Sequence, residues 1–219
     1  MERKKSFYAL LCLFMLAYIG LFCYLGLYAV PWKDDYSTYY NVDNLGVWES
    51  TIHTFTYGVP RFSGFLITNF LAKYVSMESF YGFYVLFAAL TYIAALYFAI
   101  STFYPEVSPH KKFLSTLIIT AATFTIHCAL NQVFYWLVGS HYFWSTSMML
   151  VVLAMSVKVL RRGGGITLIS SIVLMLISCF FLETATIFQG VIAFFTAIYF
   201  YKTGINVTQK FLPYSGSYV

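Results

Sequence analysis

Residues 7–30 read FYALLCLFMLAYIGLFCYLGLYAV, and this run decides the class of fold because it contains no charged side chain. An α-helix needs roughly 20 apolar residues to cross a bilayer. A second run of the same kind, residues 80–103, reads FYGFYVLFAALTYIAALYFAISTF. We expect both to be helices, since lipid offers backbone polar groups no partner outside their own segment. The two runs indicate an integral membrane protein.

The composition of the whole chain leads to the same class. Of the 219 residues, 60% are hydrophobic, 21% aromatic and only 10% charged, whereas soluble domains carry about 25% charged residues. So few charges cannot cover a soluble surface, which makes disorder, nucleic-acid binding and a water-soluble enzyme poor fits. The four cysteines lie within apolar runs, where they pack as small hydrophobic groups. No disulfide framework and no metal-ligand spacing is therefore expected.

Four further apolar runs bring the predicted number of membrane helices to six. The predicted spans are residues 7–30, 80–103, 113–130, 141–157, 166–182 and 185–201. Only Glu183 and Thr184 separate the last two runs. One steeply tilted helix over residues 166–201 is therefore the competing interpretation for that part of the chain.

Basic residues predict how these spans are arranged. They form four clusters, which are Arg3, Lys4 and Lys5; Lys111 and Lys112; Lys158, Arg161 and Arg162; and Lys202 and Lys210. Because basic loops stay on the cytoplasmic side, the chain must cross the membrane an even number of times between neighbouring clusters. We therefore expect three hairpins in the plasma (inner) membrane, with both termini cytoplasmic. Residues 1–202 form the polytopic membrane domain, and residues 203–219 form a short cytoplasmic tail.

The long stretch between the first two spans, residues 31–79, is the predicted outer loop. Apolar residues recur in it at helical spacing with polar residues between them, a pattern typical of a helix that lies along the membrane interface. These apolar positions are Leu45, Trp48, Ile52, Phe55 and Val59. Residues 62–75 form a second apolar stretch, too short to span and expected to be interfacial too. The predicted fold is thus an all-α integral membrane protein with interfacial helices in its first outer loop.

An acidic pair, Asp34 and Asp35, heads this outer loop. Adjacent carboxylates repel each other, so one of them keeps a proton or shares a cation, and one can act as a general base. A divalent metal is therefore an open question at this pair, and no other cofactor is implied. The alternative interpretation is a solvated turn that follows the first helix.

Arg61 lies further along the outer loop, in the segment GVPRFSG of residues 58–64. An arginine on the outer side works against the positive-inside bias, and its planar guanidinium group suits a phosphate. The alternatives are a salt bridge to Asp43 or Glu49 and a contact with a lipid headgroup.

Polar and aromatic side chains crowd residues 131–144, which read NQVFYWLVGSHYFW. Asn131, Gln132 and His141 are the candidate ligands here, with Trp136, because amide and imidazole groups beside aromatic faces commonly hold sugars. The alternatives are an ordinary aromatic belt at the membrane interface and a histidine satisfied by its surroundings.

Glu183 is the last candidate, at the predicted tip of the third hairpin. A carboxylate at or within the membrane is expensive and is a functional candidate by default. Arg61 or His141 could be its partner.

These residues together resemble the GT-C class of membrane glycosyltransferases, through the pair Asp34 and Asp35 after the first helix. More narrowly, WLVGSHYFW of residues 136–144 and FLETA of residues 181–185 are similar to bacterial GT-C-like proteins near the O-antigen and cell-envelope glucosyltransferases. Residues 58–62 are loosely similar to their Gly-Arg-Phe element, with two residues intervening. The resemblance covers roughly residues 6–200.

The resemblance implies a transferase that moves a sugar from a polyprenyl-phosphate carrier to a cell-envelope acceptor on the outer face. Asp34 or Asp35 would deprotonate the acceptor hydroxyl, and Arg61 would bind the lipid phosphate. Residues 136–144 with Glu183 would hold sugar or acceptor. The implied partners are the lipid-linked sugar and membrane lipids.

Members of the class usually carry more helices, often eight or more, so this chain corresponds to a GT-C-like N-terminal half. A truncated chain, a half that needs a partner membrane subunit and an inactive remnant all stay open. The alternative function is a non-catalytic membrane subunit or a translocation partner for lipid-linked sugars.

Overall fold

The computed structural model describes residues 2–28, 33–58, 61–74, 83–129, 141–162, 165–180 and 183–203. These residues form eight α-helices and no strand, so the predicted all-α class is confirmed. The helices are α1 (Glu2–Gly26), α2 (Lys33–Tyr57), α3 (Phe62–Tyr74), α4 (Phe83–Phe103), α5 (Pro109–Ala129), α6 (His141–Arg162), α7 (Gly165–Cys179) and α8 (Glu183–Thr203).

Three helices of the described part are long and apolar enough to cross a membrane, over Ser6–Gly26, Phe83–Phe103 and Tyr142–Arg161. They indicate a membrane protein. Shorter apolar stretches occur in α7 and α8, over Ile166–Cys179 and Thr186–Tyr199. These are two helices rather than the single tilted helix of the competing interpretation. The six-span count and the hairpin arrangement stay predictions.

The core is built around α4, which packs against α1, α5 and α6. Its buried side recurs every three or four residues and is rich in alanine, which lets neighbouring helices approach closely. Aromatic rings complete the contact, because Phe143 of α6 lies edge-on to Tyr92 at 5.8 Å and to Phe124 at 5.9 Å. Such edge-to-face pairs are a preferred aromatic geometry.

A basic side chain of α6 binds the end of α4 at one end of this core. The guanidinium group of Arg161, near the end of α6, donates hydrogen bonds to the backbone carbonyls of Thr102 and Phe103, at 2.5 and 3.1 Å. These carbonyls end α4 and have no partner within the helix, so a cation satisfies them and complements the helix dipole. The rings of Tyr8 and His110 lie 6.2 Å apart. The starts of α1 and α5 and the ends of α4 and α6 therefore share one end of the core.

At the opposite end, α1 touches α4 through Gly26. A methyl group added there would lie 2.5 Å from Cγ1 of Val85, closer than carbon atoms can approach, so glycine is required. The start of α6 packs at the same end, where the ring of Trp144 lies 6.2 Å from that of Phe87. The chain leaves α1 at this end and continues into α2.

A further pair of helices, α2 and α3, follows α1 and joins the buried core through Val42 and Ala72. Helix α3 also contacts α6. The sequence predicted an interfacial helix from residue 45 onward, whereas α2 begins at Lys33, so Asp34 and Asp35 lie in its first turn rather than in a loop. Acidic side chains are favourable there, because the N-terminus of a helix carries a partial positive charge.

A kink at Gly46 divides α2 into two halves. Gly46 has φ 82° and ψ 168°, a backbone conformation that is essentially restricted to glycine. In a straight helix Thr38 and Thr54 would lie about 24 Å apart along the axis, yet they line the same cavity. The two halves are therefore folded toward each other, and the kink creates the site described below.

Candidate functional site

A polar cleft of about 200 Å³ lies between the two halves of α2 and α3. Its lining residues are Asp34, Ser37, Thr38, Asn41, Ser50, Thr54, Phe65 and Asn69. All of these except Phe65 carry a polar side chain, and none of them is basic. The cleft therefore offers hydroxyl, amide and carboxylate groups to a ligand, and Asp34 is the one charged group among its described lining residues.

Asp34 is an exposed residue in the wall of this cleft. Its position is set by the first turn of α2, where the hydroxyl groups of Ser37 and Thr38 donate hydrogen bonds to its backbone carbonyl, at 3.1 and 2.9 Å. These bonds hold the backbone and leave the carboxylate of Asp34 accessible. A general base has to be within hydrogen-bond reach of the proton that it removes, and the carboxylate of Asp34 is open to a ligand in the cleft.

Asp35, the other member of the acidic pair, is fully buried, with 0% of its surface exposed. Tyr39, one helical turn further on, is also buried. Burial raises the pKa of the Tyr39 phenol to about 12, with a further contribution from the negative charges of Asp35 and Asp43. The structure therefore separates the two aspartates, one facing the cleft and the other facing the protein interior.

A buried hydrogen bond joins α3 to the second half of α2. The side-chain amide of Asn69 donates to Oγ1 of Thr51 at 2.9 Å, and that hydroxyl donates to the backbone carbonyl of Val47 at 2.7 Å. Asn69 is only 1% exposed, so this bond removes the free-energy penalty of an unsatisfied buried amide. It also holds Asn69 in the cleft wall.

Ser50 is a buried part of the same wall, with 1% of its surface exposed. Its backbone carbonyl accepts a hydrogen bond from the hydroxyl of Thr54 at 2.9 Å, but its own Oγ has no hydrogen-bond partner among the described residues. Buried polar groups in native proteins are nearly always paired. The Ser50 hydroxyl is therefore a point at which a bound molecule would supply the missing partner.

An apolar groove lies on a neighbouring face of α3, between α3, α6 and α7, with a volume of about 420 Å³. Its lining residues are Phe62, Ser63, Leu66, Ile67, Met148, Leu176, Ile177 and Phe180. Phe65 and Asn69 face the cleft, while Phe62 and Leu66 face the groove, so one helix carries both surfaces. The groove suits a hydrocarbon chain rather than a polar ligand.

A backbone hydrogen bond fixes the end of the groove, from the amide of Ser63 to the carbonyl of Phe180 at 3.2 Å. Arg61, half-buried, lies just before Ser63 in the chain, and Glu183 begins α8 just after Phe180. The fold therefore brings the backbone near Arg61 close to the turn that precedes Glu183, two segments that the sequence predicted to share a site.

Several predicted ligands lie beyond what the structure describes. Asn131, Gln132 and Trp136 are outside the described residues. His141 and Glu183 begin α6 and α8, and their side chains lie outside the described part. Trp144, in the first turn of α6, packs against Phe87 of α4. The sugar-binding role of these five residues stays a prediction.

Sequence reasoning missed Ser50, Thr54 and Asn69. A signal for Asn69 was present, since it is a lone amide within the apolar stretch of residues 62–75. Ser50 and Thr54 stand four residues apart and so share a helix face. Nothing in their spacing indicated that α2 doubles back at Gly46.

A divalent metal site at Asp34 and Asp35 stays a prediction. In the part of the chain that the structure describes, no three His, Cys, Asp or Glu side chains lie close enough together to hold a metal ion.

Comparison of the chain with protein-family models, with curated proteins and with solved structures gives no match.

Proposed function

We propose that the protein is a GT-C-like glycosyltransferase that moves a sugar from a polyprenyl-phosphate carrier to a cell-envelope acceptor. The observation that carries this proposal is the position of Asp34, an exposed carboxylate in the wall of a cleft lined by hydroxyl and amide groups. That arrangement is what a general base acting on a sugar or other hydroxylated acceptor requires.

Asp34 is the general base in this proposal, and Asp35 is a positioning residue. Asp35 is fully buried beside Tyr39, so it has no access to an acceptor in the cleft. Its contribution is to fix the first turn of α2 and thereby the direction of Asp34. The choice between the two aspartates, open at the level of sequence, is thus argued from their burial.

The donor lipid occupies the apolar groove in this proposal. An isoprenoid chain is a hydrocarbon, and the side chains that line the groove are almost all apolar. Arg61 precedes Ser63, whose backbone closes one end of the groove. We assign the carrier phosphate to Arg61, because a guanidinium group binds phosphate in a two-pronged geometry.

The reaction then proceeds in one displacement. Asp34 takes the proton of an acceptor hydroxyl, and the acceptor oxygen forms a bond to the anomeric carbon of the donor sugar. The bond from that carbon to the carrier phosphate breaks, and the phosphate leaves as an anion that Arg61 neutralises. The products are a glycosylated acceptor and the polyprenyl phosphate, with the proton held by Asp34.

The membrane arrangement belongs to the same proposal. Six helices in three hairpins cross the bacterial plasma membrane, with both termini and residues 203–219 in the cytoplasm. This is supported by Arg161, a basic residue that binds the end of α4 at one end of the core. The acidic pair follows the opposite end of α1, which corresponds to the outer face.

Donor consumption in vesicles tests this function. Vesicles are prepared with the protein and a polyprenyl-phosphate sugar labelled in the sugar, and the label is followed by extraction. A transferase releases polyprenyl phosphate and moves the label to acceptor. The alternative function, a translocation partner, moves the labelled lipid to the other leaflet and leaves the bond between sugar and phosphate intact, which would contradict the proposal.

A further inference from the structure

We infer that the polar cleft takes a single neutral sugar ring of the acceptor, with ring hydroxyls held by Ser50 and Asn69 while the reacting hydroxyl lies on Asp34. The inference rests on the proposed function and deepens it, because it names the class of acceptor and the residues that select it.

The hydroxyl of Ser50 is available to a ligand hydroxyl. It is buried in the cleft wall and lacks a partner among the described residues. A hydroxyl can both donate and accept a hydrogen bond. A ligand hydroxyl at this point therefore completes the pairing that the protein leaves open.

The hydrogen bond to Thr51 determines the orientation of the Asn69 side-chain amide. The hydroxyl proton of Thr51 is already donated to the carbonyl of Val47, so Oγ1 of Thr51 can only accept from Asn69. The nitrogen end of the Asn69 amide is thus the one directed at Thr51. Its oxygen is left as an acceptor, and the matching ligand group is a hydrogen-bond donor.

The charge of the described cleft lining favours a neutral ligand over an anion. Among the described residues that line the cleft there is one carboxylate, that of Asp34, and no basic side chain. A phosphate or a carboxylate placed there would meet a like charge without a compensating cation, which disfavours binding. Sugar hydroxyls avoid this repulsion. They can donate hydrogen bonds to the oxygens of Asp34 and Asn69, and they can donate to or accept from the hydroxyl of Ser50.

Size limits the ligand to one ring. The cleft has a volume of about 200 Å³. Pockets for drug-sized ligands are larger, from about 300 Å³ upward. A monosaccharide unit fits this volume better than an oligosaccharide.

Binding of simple glycosides to the full chain in lipid nanodiscs tests the inference. The probes are a neutral methyl hexopyranoside, the corresponding methyl glucuronide, a methyl glucosaminide and inorganic phosphate, each followed by saturation-transfer NMR. We expect the neutral glycoside to bind most tightly. Tighter binding of the glucuronide, the amine or phosphate would overturn the inference, and so would the absence of binding by every probe.

Ser50→Ala is the decisive variant, because it removes a hydroxyl that has no partner among the described residues and should leave the fold intact. We expect affinity for the neutral glycoside to fall about threefold to tenfold, the worth of one hydrogen bond. Asn41→Ala, in the same wall, should weaken binding in the same direction. Thr56→Ala is the matched control, since Thr56 is exposed and does not line the cleft.

The two proposals fail separately in these experiments. If the neutral glycoside binds and Ser50→Ala weakens it, but no donor is consumed, the transferase is wrong and the ligand class stands. If sugar transfer occurs and Ser50→Ala leaves the KM for the acceptor unchanged, the acceptor assignment is wrong and the transferase stands.

Discussion

The backbone amide of Ser63 donates a hydrogen bond to the backbone carbonyl of Phe180, at 3.2 Å. This bond ties the start of α3 to the end of α7, although the two residues are far apart in the sequence. Phe55 reinforces the junction, because its ring lies 5.8 Å from that of Phe62 and 6.4 Å from that of Phe180. The helix that carries both the polar cleft and the apolar groove is thereby held against the bundle.

Gly26→Ala should destabilise the protein by about 1–3 kcal/mol, the usual effect of overpacking. The added methyl group would lie 2.5 Å from Cγ1 of Val85, so α1 has to move away from α4. Thermal unfolding in a fixed detergent measures the effect.

Gly20→Ala is the matched control, because a methyl group at Gly20 meets nothing within 4 Å. The double variant Gly26→Ala with Val85→Ala should recover part of the lost stability, since two of the three close atoms belong to the Val85 methyl groups. Equal unfolding temperatures for the Gly26 and Gly20 variants would refute the proposed close contact.

Gly46→Ala should also destabilise the fold, by about 1–3 kcal/mol, but through backbone strain alone. Gly46 has a positive φ of 82°, and a methyl group added there would have open space around it. Gly190→Ala should instead raise stability, because Gly190 lies within α8 in open space and alanine is the better helix former. A Gly46 variant as stable as wild type would contradict the kink.

Asn69→Ala should lower the free energy of unfolding by about 1–3 kcal/mol, because it leaves the Thr51 hydroxyl without its buried donor. A double-mutant cycle with Thr51→Ala isolates the pair. We expect a coupling free energy of about 0.5–1.5 kcal/mol. Strictly additive effects of the two substitutions would mean that the hydrogen bond between α2 and α3 is not formed.

Stability should fall at high pH through Tyr39. Its pKa is raised from 10.0 to about 12 in the folded protein, mainly by burial, so between these values the unfolded chain releases a proton that the folded chain keeps. The contribution of Tyr39 to the free energy of unfolding is therefore fully present below pH 10 and is lost as the pH rises through about 12. Unfolding of wild type and Tyr39→Phe at pH 8 and pH 11 should show a smaller loss for the variant. Equal losses would rule out a raised pKa.

Hydropathy predicted the core helices well, because each of them contains a long apolar run. Residues 80–103 correspond to α4 and residues 141–157 lie within α6. The end of α1 was placed too late, at residue 30 instead of Gly26, since an apolar run does not mark where a helix stops. The start of α2 was missed because its first half lacks apolar periodicity.

The site could be predicted only in part. The acidic pair was recognised from its residue types, but periodicity alone could not say that Asp35 is buried and Asp34 exposed. The cleft depends on the glycine conformation at Gly46 and on a contact between α2 and α3 across eighteen positions of the chain. Such long-range geometry leaves no pattern in a single sequence.

Sugar transfer by Asp34→Asn and Asp35→Asn, compared at equal levels of folded protein in nanodiscs, distinguishes the roles of the two aspartates. We expect Asp34→Asn to lower kcat by about a hundredfold or more, as loss of a general base does, while Asp35→Asn lowers thermal stability and lowers the rate per folded molecule far less. Undiminished transfer by folded Asp34→Asn would mean that Asp34 is not the general base.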